Sequence, residues 1–437
     1  VKSTREISKI KTEFSLQNGT SVAGGKAFLE YLERIRLTEA FAKLSGLKQS
    51  NSVFSLPRIL LYFIIGWMLG CQRLFHFRSL QKDHLIQRFL GGRCPHHSLL
   101  NKELLRLGKS KSAVVTELKQ LNMNIISPCL PDSLILDLDS TVETVYGHQK
   151  GAAVGVNSHK RGRKSYHPLL VYEGKSRLCL NAVLRPGNTH SSHDVVGFMN
   201  QTLELLGDRS ARYARFDKGF GGEAFYSLLE SKNIGYVGKL KWTERLQKEV
   251  SECRYWKRYV DENWVIEGIV LFYQATSWDK LRRVVVIRKA QRCEGDQLLM
   301  EQPELMELYW QYEAMVTTES WESVDVWRFY NQRCCMENYI KEAKHGFAID
   351  RISTGNFDAN EVDLTLKLLT YNLFERFKRD CCESIHVGYT INRFRREFVA
   401  CVGVIVQHSR QTILKLAQEF HGKRPLERML RKVATLE

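Results

Sequence analysis

The chain has 437 residues, 43% hydrophobic and 26% charged, proportions ordinary for a folded protein of two or three cooperating domains around a sizeable core. Its formal net charge of +17 is not ordinary and points to a polyanionic partner, nucleic acid above all, because Lys and Arg displace condensed counterions from phosphate backbones. The eleven cysteines include no C-x-x-C pair, only the adjacent couples Cys334-Cys335 and Cys381-Cys382, which excludes a zinc ribbon or a disulfide framework and leads us to expect reduced thiols in a cytoplasmic protein.

Residues 1 to about 125 read as helical. Ala27-Phe28-Leu29, Tyr31-Leu32 and Ile35 recur at helical spacing. The apolar run Leu60–Leu69, bracketed by Arg58 and Arg73, is too short to span a bilayer and reads as a buried helix. His84–Leu90 follows, then the breakers Gly91-Gly92 and Cys94-Pro95, then an amphipathic segment, Ser98–Leu107, with Lys102 and Arg106 on its polar side. Such a basic helical set, 1–128, serves either as a DNA-end reader or as a packing and dimerisation module.

At Ser133–Val142 the hydrophobic period changes from 3.6 to 2, which predicts a strand. Gly147–Lys164 is rich in Gly and Lys/Arg and reads as a loop. Pro168–Tyr172, Leu178–Arg185 and Tyr213–Phe216 read as further strands, with a turn at Pro186–Asp194 leading into a helix over Val195–Leu206. Strands with helices between them indicate an α/β core. Residues 235–317 alternate in stretches such as Trp264–Tyr273 and Leu281–Arg288, and predict a mostly β insertion. A long helix is expected from near Ser320 to Lys344, stopped by Gly346, followed by helices over Glu361–Asp380 and Thr390–Phe420. The tail carries Lys423, Arg424, Arg428, Arg431 and Lys432.

Three acids stand out by placement. Asp139 ends a hydrophobic strand, and Asp137 shares its face because side chains alternate. A carboxylate buried beside Leu and Ile is costly unless paired or bound to a metal. Asp217 ends a second strand, and Gly219 allows a sharp exit after it. On the long helix Tyr330, Arg333, Glu337 and Lys344 fall within about 60° of each other at roughly 100° per residue. A phenol, two cations and one acid make a stripe that a core-facing helix does not need. Glu342 lies on the far side of the helix. Carboxylates of this kind are the hard oxygen ligands that Mg²⁺ or Mn²⁺ takes.

With these residues assembled, the chain resembles the insertion-sequence transposases of the DDE superfamily, and among them the group with the Y-(2)-R-(3)-E-(6)-K signature. Tyr330, Arg333, Glu337 and Lys344 match it in identity and spacing. Leu138-Asp139-Ser140-Thr141 is similar to the family's first-aspartate strand. Arg185-Pro186-Gly187-Asn188-Thr189-His190 and Arg215-Phe216-Asp217-Lys218-Gly219-Phe220 are similar to the segments before and at the second aspartate. Lys218 departs from the pattern, which has a small residue there.

The resemblance implies an RNase H-like mixed-sheet core with flanking helices, in two parts (129–234 and 318–380) around the β insertion at 235–317. An N-terminal helical domain would precede it, and a C-terminal helical region with a basic tail (381–437) would follow. It implies that Asp139, Asp217 and Glu337 ligate two divalent metal ions, Mg²⁺ with Mn²⁺ substituting, and that Tyr330, Arg333 and Lys344 contact the DNA backbone. Trp327 is expected in the core. The implied activity is metal-dependent DNA cleavage and strand transfer, acting as a homodimer in a synaptic complex on double-stranded DNA with terminal inverted repeats, with no membrane partner. Two rivals remain open in the residues. Asp137-x-Asp139-x-Thr141 also looks like the nucleophile motif of haloacid-dehalogenase-type phosphatases, and a DNA-binding derivative could carry the same acids without catalysis.

Overall fold

A computed structural model describes residues 7–46, 48–49, 51–157, 160–291 and 310–436, so part of the expected insertion, 292–309, lies outside the described residues. The chain divides into two compact units, one made of Val1–Lys102 with Phe377–Glu437 and the other of Glu103–Arg376. Residues 103–128, expected with the N-terminal helices, fall in the second.

The second unit is built on a nine-stranded mixed sheet. Its strands in chain order are β1 (Ser133–Ser140), β2 (Leu169–Glu173), β3 (Cys179–Val183), β4 (Ser210–Phe216), β5 (Gly235–Lys239), β6 (Lys257–Tyr259), β7 (Trp264–Tyr273), β8 (Arg282–Gln291) and β9 (Gln311–Thr317). They lie in the order β6-β7-β8-β9-β5-β4-β1-β2-β3. β1 pairs with β4, and β4 with β5, in parallel; every other pairing is antiparallel. Central position explains why β1 is buried from Leu134 to Leu138 as a near-continuous apolar run. The helices are α1 (Lys111–Ile126), α2 (Val195–Leu206), α3 (Glu223–Ser231), α4 (Ser323–Asn331), α5 (Cys335–Phe347) and α6 (Phe357–Cys381), the last belonging to this unit as far as Arg376.

The expected β insertion does not stand apart. Its long strands extend the same sheet, and β9 bonds directly to β5. Val237, Ile266, Val285, Ile287 and Met315 form one apolar cluster with Val324, Val326 and Tyr330 of α4. Each such side chain contributes about 1.5–3 kcal/mol by leaving water, which seats α4 on the sheet. Trp327 packs against this cluster, as expected. The loop expected at Gly147–Lys164 is part of a small sheet, in which Glu143–Thr144 and Ala153–Val154 both pair with Lys164–Tyr166.

The single helix expected from Ser320 to Lys344 is two helices. A 3₁₀ turn, Gln332–Cys334, separates α4 from α5. Gly346 does not stop α5 either. The helix continues to Phe347, and Ala348 takes the left-handed conformation (φ 58°). Ala348 N–H bonds back to Lys344 O and Ile349 N–H to Ala343 O, the paired closure of a helix C-terminus.

In the first unit the helix Leu56–Met68 is buried almost throughout, and Phe63 and Trp67 pack with Phe77. Tyr31 and Phe28 pack on Phe377, and Tyr31 Oη donates to Asp380 (2.7 Å). The tail forms a helix, Lys423–Ala434, with Leu426, Met429 and Val433 inward. The helix expected over Thr390–Phe420 is largely a correction. Only Ile391–Val399 is helical, its end a π-helical turn, and Gly403–His408 and Gln411–Leu416 form an antiparallel hairpin. The β-branched run Val404-Ile405-Val406 favours a strand. The turn residues Ser409 (φ 48°) and Arg410 (φ 68°) adopt the positive φ that two-residue hairpins need, without the Asn or Gly that usually marks it. Among the described residues no helix is long and apolar enough to cross a membrane, and the ten described cysteines are free thiols.

Candidate active site

Two parallel strands aim the first two acids. Leu138 of β1 pairs with Phe216 of β4, so the next residues along these neighbours are Asp139 and Asp217. The carboxyl ends of adjacent parallel strands are where open α/β sheets place their functional groups. Asp217 opens a tight turn, with Phe220 N–H bonded back to its carbonyl (3.0 Å), and Lys218 is exposed.

Asp137 shares the face of Asp139 but has a different fate. It pairs across the strands with Arg215, whose Nε and Nη2 donate to its two oxygens at 2.6 and 2.7 Å, and both side chains are 1% exposed. Arg215 Nη1 also donates to Phe329 O of α4 (2.8 Å). This buried clamp lies two residues before each strand-end aspartate. It leaves Asp139 as the available carboxylate, 24% exposed.

The α4–α5 segment supplies the third acid. The 3₁₀ turn carries Arg333 inward, where Nη2 donates to Leu138 O (2.6 Å) and lies 3.1 Å from Asp139 Oδ2. Glu337, in the first turn of α5, is exposed. The charges of Asp217 and Glu337 both reach Asp139. With burial, the largest cause, they hold its carboxyl above the usual range against the lowering by Arg333 and by Ser140 N–H. Lys344 Nζ donates to Val142 O (3.1 Å). Arg333 and Lys344 therefore hold the backbone on either side of Asp139, while Tyr330 is buried in the apolar cluster.

The charges of Asp217 and Glu337 act on Asp139, yet among the described residues no three His, Cys, Asp or Glu side chains stand ready around a single ion. Arg333 supplies the positive charge beside Asp139 instead. As a donor set, the Asp139 carboxylate, whose proton affinity the charges of two further carboxylates raise, fits with them a divalent ion with oxygen ligands.

Sequence reading missed three groups here. Arg215 was legible only as part of a motif, and its clamp needs the strand register. Arg185 fastens the turn before α2, donating to the carbonyls of His167, His190, Ser191 and His193, and Ser191 Oγ lies 3.4 Å from Ser140 Oγ. Glu143 is 1% exposed, and its Oε1 has no hydrogen-bond partner among the described residues.

Burial pushes the Glu143 carboxyl up to about 8, against the lowering by Lys344 and Lys367. The folded chain then keeps a proton that the unfolded chain releases above its ordinary 4.5, so stability falls as pH rises between these values. Glu143→Gln removes that loss. In denaturant titrations the variant should match wild type at pH 4.5 and exceed it at pH 8.5 by on the order of 3 kcal/mol. An equal difference at both values would show that Glu143 is ionised in the fold.

No curated protein matches the chain. Among solved structures, a piggyBac transposase synaptic complex with hairpin DNA is similar at 12% identity and a TM-score of 0.46, over 86% of this chain and 79% of that one. The sequence model of the family described as Transposase DDE domain group 1 matches residues 2–437. That match runs through every strand and helix just described, and the chain belongs to this family of DDE transposases.

Proposed function

We propose that Asp139, Asp217 and Glu337 form the catalytic triad of a cut-and-paste transposase and hold two divalent ions, Mg²⁺ with Mn²⁺ as a substitute. The carrying observation is the parallel pairing of Leu138 with Phe216, which puts Asp139 and Asp217 next along neighbouring strands, with the charge of Glu337 reaching Asp139. Bound ions of this kind activate a water or a 3′-hydroxyl for attack on phosphorus and stabilise the leaving oxygen. The order β5-β4-β1-β2-β3, with β2 antiparallel to β1, supports an RNase H-like core. On that reading the insertion begins after β5.

The chain's own residues do the positioning. The Asp137–Arg215 clamp locks the two strands in register, and Arg333 and Lys344 pin Leu138 O and Val142 O. Tyr330, Arg333 and Lys344 reach a scissile phosphate only by exchanging the partners they hold here. An Arg that leaves a carboxylate for a phosphate keeps a charge-assisted bond of similar strength. A phosphatase would need Asp137 as its nucleophile, and a carboxylate fastened at both oxygens by a buried Arg does not serve.

The test is cleavage of a duplex carrying the DNA that flanks the reading frame. With Mg²⁺ or Mn²⁺ the protein should nick at the element's terminal repeats, leave 3′-hydroxyl ends and join them to a target plasmid, as a dimer on paired ends. EDTA should stop both steps. Hydrolysis of p-nitrophenyl phosphate without nicking would establish the phosphatase, and tight end binding without nicking a non-catalytic derivative.

A further inference from the structure

The net charge is distributed unevenly. Of the 65 Lys and Arg and 48 Asp and Glu, 28 and 12 belong to Val1–Lys102 with Phe377–Glu437, so that unit holds +16 of the chain's +17. The unit with the strand-end acids is nearly neutral. Electrostatic capture of a polyanion therefore belongs to the first unit.

Within that unit, among the described residues, one hairpin is solvated along most of its length. The hairpin of Gly403–His408 and Gln411–Leu416 is anchored at its base, where Gly403 and Val404 pair with Thr20 and Gly19. Beyond Gly403 no residue of the two strands is buried on either face. A two-stranded ribbon solvated on both sides is marginal by itself. Beside it runs an open groove of about 820 Å³ lined by Asn18, His84, Gln87, Arg88 and Gln407. The groove walls are tied together. Thr20 Oγ1 donates to Asp83 Oδ2 (2.8 Å), Asp83 caps the helix His84–Phe89, and Arg88 Nη2 donates to Thr412 Oγ1 (3.0 Å).

We propose that this ribbon and groove are the surface that docks double-stranded DNA, with the ribbon entering the major groove. The inference rests on the transposase reading for the identity of that DNA. A two-stranded ribbon fits a major groove about 12 Å wide. Asn, Gln and Arg are the side chains that make paired hydrogen bonds to adenine and guanine edges, and an apolar group meets the thymine methyl. Gln87, Gln407 and Asn18 supply the amides, Arg88 the guanidinium, and Ile413, 37% exposed, the apolar contact. Arg410 at the tip and Lys415 on the outer strand are exposed and placed for phosphates.

The experiment is fluorescence anisotropy with the full chain on two 30-bp duplexes, one from the DNA flanking the reading frame and one of shuffled sequence, from 50 to 200 mM salt. Arg410→Ala with Lys415→Ala should weaken both duplexes alike, by about tenfold or more, and lower the slope of log K against log salt by about 2. Arg410→Lys with Lys415→Arg should restore both. Gln87→Ala with Gln407→Ala should leave the shuffled duplex within about twofold and cost the flanking duplex roughly 5- to 100-fold. Unchanged affinity and slope in the alanine pair overturn the proposal. So does an unchanged affinity with a lost dimer, which would assign the ribbon to a second copy of the chain. Failure of the catalytic reading looks different: no variant nicks DNA, while the ribbon variants still bind weakly. If both hold, the ribbon variants need more DNA than wild type to reach half of their maximal nicking rate.

Discussion

Asp139→Asn should abolish metal-dependent DNA cleavage, by 10³-fold or more, while duplex affinity stays within about twofold of wild type. The substitution is nearly isosteric, and the side-chain oxygen that accepts from Ser140 N–H (2.8 Å) survives as an amide oxygen. What disappears is one negative charge at the end of β1, within electrostatic reach of Asp217 and Glu337. A thousandfold corresponds to about 4 kcal/mol of barrier, the scale expected when one ligand to a catalytic divalent ion is neutralised. If the proposed triad is right, Asp217→Asn and Glu337→Gln should behave alike, because ligands of one site act as a unit and their losses do not add. Glu342→Gln, on the same helix but its far side, should cleave within about threefold of wild type. Rates come from single-turnover nicking of a labelled duplex, and affinities from anisotropy in Ca²⁺. Wild-type cleavage by Asp139→Asn would sink the assignment.

The acids were legible because their local signals are strong. Asp139 and Asp217 each close a period-2 run, and Glu337 sits in a spaced signature that survives any error in helix bounds. What the sequence hid is long-range. That Asp137 belongs to Arg215 depends on a parallel register between strands more than sixty residues apart, which no local pattern encodes. The break between α4 and α5 has the same origin. Residues 332–334 contain no Pro or Gly, yet the turn tightens where Arg333 reaches Leu138 O. Tyr330 matches its signature position and still packs in the core, because the β strands after β5 bring an apolar face against α4. The hairpin at 403–416 escaped for a different reason. Its turn places Ser409 and Arg410, rather than Asn-Gly, in the left-handed region, and so carries no mark that a reader would weigh.

Arg215→Met should destabilise the protein by about 3–5 kcal/mol, the larger of the stability effects expected here. The cost comes from what stays behind. Asp137 is 1% exposed and loses two charge-assisted bonds at once, so its buried carboxylate then favours the protonated form. The sign of the pH dependence follows. Burial already holds the Asp137 carboxyl above its ordinary value, and losing Arg215, which lowers it, raises it further. The deficit relative to wild type should then be smallest below the ordinary carboxylate range and grow as pH rises to 7. Asp137→Leu combined with Arg215→Met removes the buried charge as well and should recover most of the stability, although Phe329 O still loses its donor. The double variant should not recover cleavage. Hydrophobic contact between β1 and β4 does not specify register as a bidentate pair does, and register is what brings Asp139 level with Asp217. Denaturant titrations at pH 4 and pH 7 and nicking assays on the same samples separate the two effects. A deficit below about 1 kcal/mol for Arg215→Met at pH 7 would mean that the clamp is dispensable to the fold, and full cleavage by the double variant would mean that it is dispensable to the alignment of the acids.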